Sequence, residues 1–306
     1  MTKSTVNVGA SVRRRLLNLA QSRGDDFQLV LVRYATERLL YRLSISPYAQ
    51  HFVLKGAALF TLWLGRAHRT TRDVDLLGFG SDDPERLRQV FVSIFSAPVS
   101  VPDGVEFDVT SLKVRPIREG QVYGGQQLTF VGSIDTARIS LQVDVGFGDA
   151  VTPPAAQTNF PTLLDYPAPM LRVYPRETVV AEKFDAMVQN AEQNSRMKDY
   201  FDVRYLARHF AFDGALLSLA IVNTFSNRKT AFPTALPIGL SDRFAESPAK
   251  IAQWNGFLKR SAVGESAPLA DVVSDVRNFL APVIAEVATG NSFNGSWLPG
   301  GPWSER

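Results

Sequence analysis

Two aspartates separated by a single residue, Asp73 and Asp75, are the first candidates for chemistry in this sequence. Val74 and Leu76 alternate with them, which predicts a β-strand whose every second side chain lies on the same face. The two carboxylates therefore project from one side, where they repel each other unless a cation neutralises them. Because Mg²⁺ prefers carboxylate oxygens and keeps positions open for water and substrate phosphates, the pair predicts a magnesium site.

The segment upstream of this pair offers a place for phosphate groups. Residues 52–54 predict a short apolar strand and residues 57–64 a buried helix, with Lys55 and Gly56 at the turn between them. A glycine in such a turn lets backbone N–H groups approach a triphosphate, and a helix N-terminus favours negative charge. One segment could thus hold both the phosphates and the metal that bridges them. Taken singly, Lys-Gly also fits a plain turn, and Asp-x-Asp fits a solvated strand face.

A third carboxylate, Asp144, lies in a strand predicted over residues 138–146. The apolar residues that alternate along one face of this strand are Ile139, Leu141, Val143 and Val145. Asp144 falls on the opposite, open face. If this strand lies beside the first, three carboxylates converge, which is the ligand set of two Mg²⁺ ions in nucleotidyl transfer. A solvent-facing aspartate near a turn fits equally well, and Asp149 is a weaker candidate because it falls in the following loop.

These residues carry a resemblance to a known family. Lys-Gly, an apolar helix and then Arg-x-Thr-x-Asp-x-Asp-Leu are similar to the first motif of the AbiEii-type nucleotidyltransferase toxins, of the DNA polymerase β-like superfamily. The resemblance implies that a nucleoside triphosphate contacts Lys55, Gly56, Ala57, Thr71 and Arg72. It also implies that Asp73, Asp75 and Asp144 bind Mg²⁺ or Mn²⁺. The chain departs from the family pattern at Ala57, where the superfamily commonly has serine and many relatives have glycine.

A second motif lies on a helix predicted from Arg176 onward, with apolar residues at helical spacing. By spacing alone, Lys183 falls off the apolar stripe and is a solvated lysine. The segment from Glu177 to Ala186, however, resembles the family element Glu-x-x-x-Ala-Glu-Lys-x-x-Ala, in which the lysine contacts nucleotide phosphates. A flexible cation suits a triphosphate whose charge shifts during transfer.

A third motif follows, in which Arg196, Lys198, Asp199 and Asp202 resemble an arginine, lysine and aspartate motif of the same family. Asp199 and Asp202 are three residues apart and hence neighbours on a helix surface. One of these carboxylates could act as a general base towards a hydroxyl nucleophile, or could hold Lys183 in position. Helix capping by an acidic residue would account for one of the two.

The remaining elements predict a mixed α/β (α+β) fold. Short alternating strands broken by glycines fill residues 105–147, and a proline-rich connection follows at 150–170. The helices that the periodicity predicts span 11–23, 26–45, 213–225, 248–260 and 268–288, besides one that starts at Pro84. We therefore expect a bilobed protein: residues 1–160 form a mixed-sheet nucleotidyltransferase lobe with N-terminal helices, and 161–306 form a mainly helical lobe. The resemblance makes the first lobe one of the polymerase β type. The tail after Gly290 predicts irregular structure whose tryptophans pack against the body or a partner.

Composition sets limits on the class of protein. The 306 residues carry a net charge of +3 and no cysteine, which excludes disulfides and thiolate metal sites and suggests a reducing compartment. No apolar run is long enough to span a membrane, so we expect a cytoplasmic protein without a membrane partner. The histidines lack a paired-metal spacing, and the Gly-x-Ser-x-Gly and Gly-x-x-x-x-Gly-Lys-Ser/Thr motifs are absent, which argues against zinc hydrolases, serine hydrolases and P-loop enzymes.

Three functions remain open. The first is a metal-dependent nucleotidyltransferase that transfers a nucleoside monophosphate from a nucleoside triphosphate and releases pyrophosphate. The resemblance implies a growth-inhibiting toxin whose acceptor is the tRNA 3′ end and whose partner is a cognate protein antitoxin. The second function keeps the fold and uses a protein side chain or a small molecule as the acceptor. The third is a nucleotide-binding regulatory module without catalysis, which Ala57 would favour.

Overall fold

The computed structural model of the protein describes residues 7–65, 71, 73–117, 124–261 and 267–305. The chain divides into two compact units. Unit 1 comprises Met1–Gly148 and Ala156–Val173, and unit 2 comprises Asp149–Ala155 and Tyr174–Arg306. The predicted mixed α/β fold is confirmed, because unit 1 contains a mixed sheet and both units contain helices. Within the described residues, no helix has the length and apolar character needed to cross a bilayer.

Unit 1 is built on a sheet of seven strands. These are β1 (Phe52–Lys55), β2 (Asp73–Gly78), β3 (Val105–Pro116), β4 (Gly125–Ile134), β5 (Ala137–Phe147), β6 (Ala156–Asn159) and β7 (Met170–Val173). Their order across the sheet is β3-β4-β5-β2-β1-β7-β6. The β2–β5 and β1–β7 pairs are parallel and the other pairs are antiparallel. The strand that carries Asp73 and Asp75 thus lies inside the sheet, directly beside the strand that carries Asp144.

One face of this sheet is the apolar core of unit 1. All four alternating apolar residues of β5 are buried, as the sequence predicts. The helices of unit 1 are α1 (Val8–Arg23), α2 (Phe27–Ile45), α3 (Ala58–Leu64) and α4 (Pro84–Phe95). Asn7, Asp26 and Asp83 cap the first, second and fourth of these by accepting a hydrogen bond from a backbone N–H. The ring of Phe95 on α4 contacts Phe107 and Phe130 on the core side of the sheet.

The edge strand β3 differs from its prediction. The alternation suggests two separate strands, over 105–109 and 113–115, whereas the structure has one strand with a register shift between Asp108 and Lys113. Local hydrogen bonds stabilise the shift. The Ser111 hydroxyl donates to the Asp108 carbonyl, and the Val131 N–H on β4 donates to the Ser111 hydroxyl. A polar side chain therefore replaces a backbone group in the ladder at this point. The strand predicted at 122–123 lies outside the described residues.

Unit 2 is mainly helical. Its helices are α5 (Arg176–Asn190), α6 (Met197–His209), α7 (Gly214–Arg228), α8 (Asp242–Ala245), α9 (Pro248–Ser261) and α10 (Leu269–Ala288). Helix α5 packs against α6 and α7, and α6 packs against α10. The side chains of Phe184, Ile221 and Phe279 are fully buried in this core. The position of α5 and α6 as neighbours brings the second and third sequence motifs together.

The prediction of an irregular C-terminal tail is wrong. Strands β8 (Phe212–Asp213), β9 (Gly295–Trp297) and β10 (Trp303–Glu305) form an antiparallel sheet in unit 2. The chain reverses between β9 and β10 through Gly300 and Gly301, whose positive φ angles of 88° and 69° favour glycine. The tryptophans pack against the body of unit 2, as expected. The indole N–H of Trp297 donates to Ala207 O, and the Trp303 ring stacks on Phe279.

Candidate active site

Three aspartates of unit 1 converge, as expected from the alternation of their strands if these strands are neighbours. The parallel pairing of β2 with β5 sets Asp75 opposite Asp144 and Asp73 opposite Gln142. Carboxylate oxygens of Asp73, Asp75 and Asp144 all lie within 4.8 Å of one another, and all three residues are half-buried. Such a group of oxygen donors fits a hard divalent cation, which offsets the mutual repulsion of the carboxylates. In the part of the chain that the structure describes, no second group of this kind occurs.

Neutral hydrogen bonds orient two of these carboxylates. The side-chain amide of Gln142 donates to both oxygens of Asp144, at 3.0 and 3.2 Å, and the amide of Gln127 on β4 donates at 3.3 Å. The Thr71 hydroxyl donates to the carboxylate of Asp73. These contacts fix the side chains while leaving their negative charge in place. Gln127 and Gln142 were absent from the predicted site, although the position of Gln142 on the open face of β5 is readable from the alternation.

The turn after β1 packs directly against Asp75. In the β1–β2 pair, Lys55 lies opposite Asp75, and Gly56 follows with a φ of 71°. A Cβ atom at Gly56 would overlap the Asp75 carboxylate. Both the backbone angle and the lack of space therefore require glycine here. Ala57 is buried and precedes α3, which has only seven residues. Arg72, which is also predicted to contact the nucleoside triphosphate, lies outside the described residues.

Lys183 forms a second charged cluster, in unit 2. Its ammonium Nζ lies 2.8 Å from Asp199 Oδ1 and 2.8 Å from Asp202 Oδ2, and both aspartates are fully buried. Arg196 adds a contact of 2.6 Å from its Nε to Asp199 Oδ2. Asp199 and Asp202 therefore share one face of α6, as their spacing predicts, whereas Lys198 is exposed. The cluster fixes the position of the lysine from two sides.

The electrostatics of this cluster bear on its chemistry. Burial by itself raises the pKa of Asp199, but the charges of Lys183 and Arg196 outweigh burial and hold this pKa below its ordinary value. An ionised carboxylate that already accepts hydrogen bonds from two cations is a weak proton acceptor. The geometry therefore favours a role for Asp199 in holding Lys183 over a role as general base.

Asp149 and Glu182 belong to a third cluster, around Arg228 in unit 2. The guanidinium Nη2 of Arg228 lies 2.8 Å from Asp149 Oδ1 and 3.2 Å from Glu182 Oε1, and Nη1 lies 3.1 Å from Asp185 Oδ2. The Tyr174 hydroxyl also donates to Glu182. Asp149, the weaker candidate for a metal ligand, is thus an ion-pair partner of Arg228. Glu182, the residue before Lys183 in the second motif, anchors α5 to α7.

The fold and the converging aspartates define a class of protein. A mixed sheet that places three carboxylates on adjacent strands offers the oxygen donors that enzymes of phosphoryl and nucleotidyl transfer use. The family model described as "Nucleotidyl transferase AbiEii toxin, Type IV TA system" matches residues 38–281, about four fifths of the chain. The protein therefore belongs to the AbiEii nucleotidyltransferase toxin family. Membership in a type IV toxin–antitoxin family implies an antitoxin partner and a nucleoside triphosphate substrate.

A solved structure supports the fold. A crystal structure of a nucleotidyltransferase candidate from H. pylori matches with a TM-score of 0.50 and 14% identity, over 87% of this chain and 98% of that chain. The crystal structure of JHP933 from Helicobacter pylori matches with a TM-score of 0.49 and 14% identity, over 87% of this chain and 95% of that one. No curated protein matches the sequence significantly.

Proposed function

We propose that this protein is a metal-dependent toxin that transfers a nucleoside monophosphate from a nucleoside triphosphate to the 3′ end of a tRNA. The observation that carries the proposal is the convergence of Asp73, Asp75 and Asp144 on one face of the unit 1 sheet. The family match supports the transfer chemistry. The metal, the tRNA acceptor and the roles of individual residues are the parts that the experiments below test.

In this proposal the three carboxylates hold Mg²⁺ or Mn²⁺. Such a cation, when bound, would supply electrostatic stabilisation for the negative charge that develops on the α-phosphoryl group. Carboxylate oxygens suit these hard cations, and the neutral amides of Gln127 and Gln142 orient Asp144 without cancelling its charge. Amide donors of this kind raise the precision of the ligand position, which in metal sites commonly affects affinity about 10–100-fold.

The reaction balances as a simple substitution at phosphorus. The oxygen of the acceptor hydroxyl forms a bond to the α-phosphorus, and the bond from this phosphorus to the oxygen bridging to the β-phosphate breaks. Pyrophosphate leaves with the bonding electron pair, and the hydroxyl proton passes to solvent water. The turn at Lys55, Gly56 and Ala57, with Thr71 and Arg72, is proposed to contact the triphosphate.

From the resemblance of its motif, Lys183 is proposed to contact the phosphates of a nucleoside triphosphate. A compact ammonium suits the negative charge that builds up on the departing pyrophosphate. Asp199 and Asp202 are positioning residues in this proposal, because they hold the ammonium at 2.8 Å each. Arg196 and Lys198 add positive charge at the N-terminal end of α6.

The proposal is tested by labelling. The purified protein is incubated with Mg²⁺, total RNA and each α-³²P-labelled nucleoside triphosphate in turn. We expect label in tRNA and none without divalent cation. Label only in protein would instead support a protein acceptor, and no transfer would support the regulatory module.

Matched variants connect the label to the carboxylates. Asp75→Asn and Asp144→Asn remove one ligand each and should abolish transfer, whereas Asp271→Asn makes the same chemical change at an exposed position of α10 and should leave it intact. Circular dichroism checks that each variant is folded. Full activity in Asp75→Asn would rule out the metal assignment. Growth arrest that persists when Asp75→Asn is expressed would show that catalysis does not cause the toxicity.

A further inference from the structure

The face of the sheet that carries the three aspartates continues across β4 to the edge strand β3. Asp144 lies opposite Gln127, and Gln127 lies opposite Arg115. In the adjacent row, Gln142 lies opposite Thr129, which lies opposite Lys113. Directly paired residues of neighbouring strands share a face. Lys113 and Arg115 therefore stand on the same face as the carboxylates, in the same two rows.

These two cations differ from the arginines on α2. Arg42 forms a buried ion pair with Asp103, and Arg38 forms one with Glu37. Lys113 and Arg115 are exposed, and among the described residues neither side chain makes an ion pair or hydrogen bond. Within the described part of the chain, their charge is therefore not neutralised by a carboxylate and can attract an anionic ligand.

The distribution of charge along β3 restricts where such a ligand lies. Before the register shift the strand carries Glu106 and Asp108, whose partners on β4 are Ser133 and Val131. After the shift it carries Lys113 and Arg115, in the rows of Asp73 and Asp75. Arg138 on β5 lies in the row of Glu106 and offsets only part of the negative charge of the first half. An anion is therefore attracted more strongly to the second half of β3, which is the half level with the carboxylates.

The spacing fits a nucleic acid strand. From β5 to β3 are two strand steps of about 4.8 Å, or roughly 10 Å. One strand of a helical nucleic acid carries a phosphate about every 3.4 Å of helix axis, and the distance along the backbone itself is longer, so at most about three phosphates span this distance. Between the two ends lie the uncharged side chains of Gln127 and Thr129, which neither repel nor neutralise a passing backbone.

We propose that Lys113 and Arg115 bind the phosphate backbone of the acceptor RNA, within about three nucleotides of its terminal hydroxyl. This inference rests on the proposed function and adds the site of acceptor binding. The guanidinium of Arg115 offers paired donors to one phosphate, and the ammonium of Lys113 offers a point charge to the next. The edge strand is thus a positioning element that directs the RNA end towards the carboxylates.

The test compares two double variants that lose the same charge. Lys113→Gln with Arg115→Gln removes the proposed contacts, and Arg86→Gln with Arg88→Gln removes two charges from α4, which packs on the opposite face of the sheet. We expect the first variant to raise KM for RNA about 10–100-fold with kcat nearly unchanged, and the second to change neither. Nucleotide affinity, measured by titration without RNA, should stay constant in both.

Salt and length dependence separate backbone binding from a general structural effect. Each lost phosphate contact on a single strand lowers the slope of log affinity against log salt by about 0.7, so the Lys113 and Arg115 double variant should lose about 1.4. The wild-type protein should prefer acceptors of four or more nucleotides over a dinucleotide, and this preference should vanish in that variant. Arg115→Lys, which keeps the charge, should retain part of the RNA affinity that Arg115→Gln loses.

The two levels of the proposal fail differently. If the wild-type protein labels RNA and the Lys113 and Arg115 variant keeps the same KM and salt slope, the acceptor site is wrong and the transferase function stands. If nucleotide affinity falls in parallel with RNA affinity, the two cations serve the triphosphate and the acceptor site is likewise wrong. If the wild-type protein labels only protein, both the tRNA acceptor and the RNA site are overturned.

Discussion

Gly56→Ala probes the structure of the site without removing any functional group. Gly56 has a φ of 71°, and a methyl group there would overlap the Asp75 carboxylate. The positive φ costs an alanine about 1–2 kcal/mol, of which about 0.4–1 kcal/mol is recovered by the reduced entropy of the unfolded chain. The overlap is relieved only if Asp75 moves by about 1 Å, and a displacement of this size at a reacting centre costs about 100-fold in rate.

Gly24→Ala is the matched control. Gly24 has a φ of 68° at the end of α1, and a Cβ there would meet no atom within 4 Å. It therefore bears the same backbone cost without a steric one. Gly24→Ala should lose about 1 kcal/mol of unfolding free energy in urea titrations. Gly56→Ala should lose about 1–3 kcal/mol more, because its methyl group must displace Asp75. Only Gly56→Ala should lose about 100-fold or more in the labelling rate.

The comparison has a clear negative outcome. If Gly56→Ala transfers label within threefold of the rate of Gly24→Ala, then Asp75 either does not lie behind this turn or does not take part in the reaction. If both variants lose activity equally, the loss reflects stability. A rate loss confined to Gly56→Ala, with Mn²⁺ affinity reduced in parallel, supports the assignment of Asp75 to the metal.

Two further predictions concern buried charges. Asp199→Asn should lower the unfolding free energy at pH 7 by about 3 kcal/mol, the lower end of the range for buried ion pairs, because the carboxylate is fully buried while Arg196 is partly exposed and Lys183 keeps Asp202. Arg243→Gln, which breaks an exposed pair with Glu192, should cost under about 1 kcal/mol in the same urea titration. Burial raises the pKa of Glu37 from 4.5 to about 7, so the folded state binds the Glu37 proton more tightly than the unfolded state does. The unfolding free energy of the wild-type protein, relative to that of Glu37→Gln, should therefore fall by about 3 kcal/mol as pH rises from 4.5 to 7. A difference between the two proteins that is constant with pH would contradict this.

The convergence of the aspartates could be predicted because a strand has an exact period of two. The alternation in β2 and β5 assigns Asp73, Asp75 and Asp144 to open faces from the sequence alone. The adjacency of the two strands was the missing step, since it depends on pairing across about 70 residues of chain. The helical spacing of Asp199 and Asp202 was likewise readable, because residues three apart share a helix surface.

Other features depend on tertiary distances and were not predictable. The contact of Gln127 with Asp144 requires the register of β4 against β5, and the need for glycine at position 56 beside Asp75 requires the register of β1 against β2. The C-terminal strands were missed for a related reason. Glycines and prolines between Trp297 and Trp303 indicate a turn, but pairing of strands this short depends on burial of the two indoles.

The two charged clusters of the sequence motifs are built on different principles, and this difference supports the division of roles between them. In unit 2, cations bind the carboxylates of Asp199 and Asp202 directly, which removes most of their capacity to bind another cation. In unit 1, the donors to Asp144 include the neutral amides of Gln127 and Gln142, which orient a carboxylate and leave its charge. A metal ligand must keep both its charge and its orientation. The amides of Gln127 and Gln142 satisfy both conditions for Asp144, which supports its proposed role as a metal ligand. The ion pairs of Asp199 and Asp202 with Lys183 support their proposed role in positioning this lysine.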